Sequence, residues 1–94
     1  MATQEKIDLV CNNFAKFLKE KNKRYGDSAI SPINIFCKGS ESKSENSICV
    51  RLNDKIGRIM KSEELRKNDI VDCIGYLVLL CISKDWTDFE DLLD

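Results

Sequence analysis

Histidine is absent from the 94 residues. Its absence removes Ser-His and Cys-His nucleophilic pairs, imidazole acid–base catalysis and every His-containing zinc site. Phosphate-cradling loops of the Gly-x-x-x-x-Gly-Lys-Ser/Thr and Gly-x-Gly-x-x-Gly kinds are missing too, and redox cofactors have no visible seat. Charge of either sign is not in excess: 15 Lys and Arg face 16 Asp and Glu, a net charge of -1. Such a balance excludes general coating of nucleic acid. Long apolar runs are lacking as well. The most apolar stretch, Cys73 to Ile82, is about half of what spans a bilayer, so it reads as a buried helix and no membrane partner is expected.

Five cysteines are present, an odd number with no Cys-x-x-Cys pair, and the first residues are polar. No secretory leader is expected, so the cysteines read as reduced thiols serving as small core hydrophobes, in a cytoplasmic protein. The remaining composition, 43% apolar and 33% charged, is that of one small globular domain.

Periodicity places three main helices. Ile7, Val10, Cys11, Phe14, Phe17 and Leu18 mark one face of a helix over 3–23, with Thr3 as its N-cap. Tyr25-Gly26-Asp27-Ser28 reads as a turn, and Ser31-Pro32 opens a short helix to Cys37. Lys38 to Asn46 holds no apolar residue and reads as a loop. A second helix over 44–60 carries a core stripe of Ile48, Cys49, Leu52, Ile56, Ile59 and Met60. A polar connection, Lys61 to Lys67, leads to a third helix from Asn68 or Asp69 to Ser83, apolar almost all round. A helix of that kind is covered on several sides, so completion by a second subunit is expected. Asp85 to Asp94 forms an acidic aromatic tail expected to dock on the core, beyond a single domain over 1–84. The fold class is all-α: a small bundle of three main helices with short connecting ones.

Three polar clusters carry possible chemistry. Arg51, Lys55 and Arg58 fall within about 60° on the second helix, beside its apolar face. Such a stripe suits phosphate oxygens, or it is a solvated face in which Asp54 pairs with Arg58 at i, i+4. On the third helix Asp69, Asp72 and Tyr76 share a side. Asp72, set among apolar residues, needs either a Mg²⁺ ion or a cation from Arg51, Lys55 or Arg58. Lys21 to Ser28 combines three cations, Asn22, Tyr25 and Gly26. It suits a phosphate with a stacked base, or it is a helix end whose cations complement the dipole.

In order, Lys21-Asn22-x-x-Tyr25-Gly26-Asp27, Arg51-x-x-Asp54-Lys55-x-x-Arg58 and Asp69-x-x-Asp72 with Gly75-Tyr76 resemble the phage and bacterial nucleotide modification associated domain family. The resemblance spans roughly residues 11 to 82. That family is in turn similar to MazG-like all-α nucleoside triphosphate pyrophosphohydrolases, which bind Mg²⁺ between a Glu-x-x-Glu and a Glu-x-x-Asp helix. Here Asp69-Ile-Val-Asp72 matches the second half, but Lys55-Ile-Gly-Arg58 stands where two glutamates belong. Two cations in place of two carboxylates convert a metal cradle into a phosphate clamp. The resemblance therefore implies a phage-type protein that binds a nucleotide or nucleotide-derived signal without cleaving it, and so sequesters a host defence messenger in the host cytoplasm. Its site residues would be Asn22, Lys23, Tyr25, Arg51, Lys55, Arg58 and Tyr76, with no cofactor. The alternatives are a Mg²⁺-dependent pyrophosphohydrolase with Asp54, Asp69 and Asp72 as ligands, and a helical adaptor that binds protein through its tail.

Overall fold

The computed structural model describes residues 1–25 and 41–93; for Tyr25 and residues 41–44 it describes the backbone only. Three helices and one short 3₁₀ turn, with no strand, make up the described secondary structure. They are α1 (Thr3–Tyr25), α2 (Glu41–Lys61), α3 (Lys67–Ser83) and the turn Glu90–Leu92. The all-α reading holds. The expected Gly26–Ser28 turn, the helix from Pro32 and the loop residues 38–40 lie outside the described residues.

Boundaries moved where local chemistry was misread. Thr3 is the first helical residue and not the cap, since the Lys6 amide already donates to the Ala2 carbonyl at 3.1 Å. The polar stretch 41–46 is the first part of α2 and not a loop. Its Ser, Glu and Lys residues lack an apolar face, but helical propensity permits them and the apolar turns that follow propagate the helix backward. Ser62 ends α2's run: its hydroxyl donates to the Glu64 carbonyl and bends the chain toward α3.

α2 and α3 form the main packed pair, with Ile48 fully buried and Leu79 nearly so. α1 lies across α3, where Phe14 and Leu18 approach the backbone at Gly75. A Cβ at that position would meet Leu18 at 3.6 Å and Phe14 at 3.8 Å, ordinary contact distances.

The expected core stripe of α2 is half right. Ile48, Leu52 and Ile59 turn inward, whereas Cys49, Ile56 and Met60 are exposed. Cys11 is exposed too, and Cys73 and Cys81 are partly so, which corrects the reading of these thiols as core filling.

α3 ends in a Schellman motif. The Trp86 amide donates to the Cys81 carbonyl at 2.8 Å and the Asp85 amide to Ile82 at 3.0 Å. Asp85 takes the left-handed position with φ 58°, which glycine usually fills. The tail that follows does not dock: Trp86, Phe89, Leu92 and Leu93 are each more than half exposed.

Candidate functional site

A charge at an apolar register position must meet a partner, and three such charges meet here. On α2, Lys55 falls in series with Ile48, Leu52 and Ile59, the inward face. On α1, Lys21 continues Phe14 and Leu18 at i+7 and i+3. Each helix therefore aims an ammonium group at α3, and both arrive at Asp72. Lys55 Nζ stands 3.1 Å from Oδ2 and Lys21 Nζ stands 3.3 Å from Oδ1. Lys55 is 19% exposed and Asp72 20%, so this is a half-sheltered ion triad that ties the three helices together. Lys21 also lies 5.7 Å from the centroid of the Phe17 ring, close enough for cation–π attraction. Burial pushes the Asp72 carboxyl up, but the hydrogen bonds and charges of Lys55 and Lys21 outweigh it and hold the group below its ordinary value.

Beside this triad opens a cleft of about 250 Å³. Phe17, Leu18, Val71 and Leu79 supply apolar wall, and Lys21, Asn22, Arg51, Asp72 and Tyr76 supply polar groups from all three helices. The volume is a little under the roughly 300–1,000 Å³ of drug-sized pockets.

The structure thus brings together Asn22, Arg51 and Tyr76 of the expected binding residues, with Lys55 behind them on Asp72. Lys23 is exposed on α1 and does not line the cleft. The side chain of Tyr25 lies outside the described residues. Arg58 departs from its neighbours on the stripe. It pairs with Asp54 at 3.5 Å on the surface and lines a separate open pocket with Lys61, Ser62, Arg66, Asn68 and Asp69. For Arg58 the solvated i, i+4 pair is what the structure contains. Lys21 lines the cleft too; the sequence reading placed it in the cluster from Lys21 to Ser28 but not among the binding residues, and its register with Phe14 and Leu18 was the signal for its inward position.

The three acids named as Mg²⁺ ligands do not form one donor set. Asp72 is engaged by two ammonium groups, Asp54 by Arg58, and Asp69 is buried against the other pocket. Among the described residues no three His, Cys, Asp or Glu side chains gather closely enough to hold a metal ion. No helix among them is long and apolar enough to cross a membrane.

No protein-family model, curated protein or solved structure matches this chain. The functional reading accordingly rests on the cleft.

Proposed function

We propose that the protein binds a nucleotide or nucleotide-derived small molecule in the cleft between α1, α2 and α3 and releases it chemically unchanged. The observation that carries this reading is the convergence of Asn22, Arg51 and Tyr76, one from each helix, on one small cleft with an apolar floor. Tyr76 and the apolar wall offer a face for a base, and Asn22 can read the polar edge of that base. Arg51 presents a forked cation to phosphate oxygens. The engagement of Asp72 by Lys21 and Lys55 supports binding over metal-assisted cleavage, because the acid best placed beside the cleft already has two cations on it. A protein acting this way lowers the free concentration of its ligand, which is how a messenger would be sequestered.

The test is incubation of purified protein with Mg²⁺ and a mixed panel of deoxynucleotides, cyclic dinucleotides and ADP-ribose derivatives. Chromatography before and after heat denaturation then reads the outcome. One compound is expected to disappear from solution and return intact. A compound that returns as its monophosphate overturns the reading in favour of a pyrophosphohydrolase. Arg51→Ala is expected to weaken binding of the retained compound about 10- to 100-fold, the loss of one or two charge-assisted hydrogen bonds, with unchanged helicity.

A further inference from the structure

A second polar pocket lies where α2 gives way to α3. Arg58 and Lys61 from the last turn of α2, Ser62 after it, and Arg66, Asn68 and Asp69 at the start of α3 line it. It shares no lining residue with the cleft. Arg58 is held by Asp54 at 3.5 Å, whereas Lys61 and Arg66 pair with no described acid. Glu63 and Glu64, in the connection between the helices, are exposed and do not line the pocket. The lining therefore sets three cations against one acid, Asp69. Arg66 stands at the N-cap of α3 and supplies no side-chain cap, so the first amides of this 17-residue helix are left uncapped.

Asp69 makes this more than a basic helix start. Only 5% of it is exposed, yet no hydrogen bond or ion pair from a described residue reaches its carboxylate. Among the described residues no unpartnered side-chain oxygen is sealed from solvent, so the Asp69 oxygens open into the pocket that the residue lines. A sheltered carboxylate without a donor is costly. The occupant that suits this pocket brings negative charge for the cations and the helix amides, and with it a hydrogen-bond donor for Asp69.

We propose that the pocket binds inorganic phosphate in the form of hydrogen phosphate. At neutral pH that ion keeps one P–O–H proton beside its charged oxygens. The charged oxygens accept from Arg66, Lys61 and the first amides of α3, and the P–O–H donates to the Asp69 carboxylate. Sulfate has nearly the same size and shape but no proton to give, so its oxygen meets the carboxylate as like against like. A phosphate monoester loses its last proton at about pH 6 and is rejected for the same reason above that value. Since the two sites have no residue in common, phosphate here and a ligand in the cleft stand or fall separately.

Isothermal titration calorimetry of the full chain at about pH 7.5, with phosphate, sulfate and glycerol phosphate as separate titrants, tests the proposal. Phosphate is expected to bind about 10- to 100-fold more tightly than either of the others, which leave a sheltered acceptor unpaired. Asp69→Asn keeps the shape and removes the charge, and is expected to erase the preference over sulfate. Arg66→Ala alters an exposed side chain and is expected to weaken phosphate about tenfold with unchanged helicity. That variant decides the matter even if Asp69→Asn folds poorly. The proposal is overturned by a wild type that does not bind phosphate saturably, or that binds sulfate or glycerol phosphate equally well. Phosphate binding unchanged in Arg66→Ala overturns it too, as does a preference that survives in folded Asp69→Asn. A preference lost in Arg51→Ala, and not in Asp69→Asn, would place the ion in the cleft instead.

Discussion

Asp72 shows how a single residue couples the three helices. Its carboxylate is held ionised by Lys55 and Lys21, so its proton affinity is lower folded than unfolded. A depressed carboxyl contributes stability that is fully present above the unfolded value, near pH 3.9, and is lost as pH falls through the folded value. Asp72→Asn is therefore expected to cost about 1–2 kcal/mol at pH 7, between the worth of an exposed ion pair and that of a buried one. The gap between variant and wild type should close below about pH 4, which urea unfolding across pH 3–7 would measure. A gap constant over that range would show that Asp72 acts through shape and not through charge. Sequence alone left this residue either a Mg²⁺ ion or one of three side-chain cations, and Lys55 was one of the three. Lys21 was not, because an end-of-helix lysine looks solvated until its register is set beside Phe14 and Leu18.

Elements behaved unevenly under sequence reasoning. α3 was readable nearly to the residue, since an apolar run bounded by Asn68 and Ser83 admits few alternatives. The α2 start was not, because a polar stretch without periodicity carries no signal for either helix or loop. The end of α3 has a Schellman motif with no glycine to announce it: Asp85 occupies the left-handed position. Asp85→Gly is expected to raise stability by about 1 kcal/mol by relieving that backbone cost. Thermal unfolding would read this as a midpoint several degrees higher, and a lower midpoint would mean that the Asp85 carboxylate stabilises the turn by more than the strain it incurs. The acidic tail, expected to fold back, instead holds its four large apolar side chains outward. Amphipathic spacing identifies a face that needs cover but not the surface that covers it.

For the whole molecule, the balance is between a short chain and the apolar surface it must hide. Ile48 and Leu79 are the buried large hydrophobes among the described residues, while Ile7, Val10, Phe17 and Leu77 are about half exposed or more. So thin a core would gain stability from a second subunit that binds only the folded state, which shifts unfolding by mass action. The midpoint of thermal unfolding is expected to rise by a few degrees for each tenfold increase in protein concentration. A midpoint independent of concentration would mean that the isolated chain is stable by itself.

The sequence by itself determined the helical class, the position of α3 and the need of Asp72 for a positive charge beside it, and it offered the Asp54–Arg58 pair as one of two readings. Each of these follows from local spacing or from the cost of burying charge, and neither requires knowing which helix lies beside which. Only the tertiary structure decided that Arg51 and Tyr76 share a cleft with Asn22 while Arg58 faces another pocket, and that Asp69 and Asp72 look different ways. Residues three or seven apart on a helix fall within a broad sector of its surface. Which of them meet depends on where the neighbouring helices cross, and packing sets that crossing.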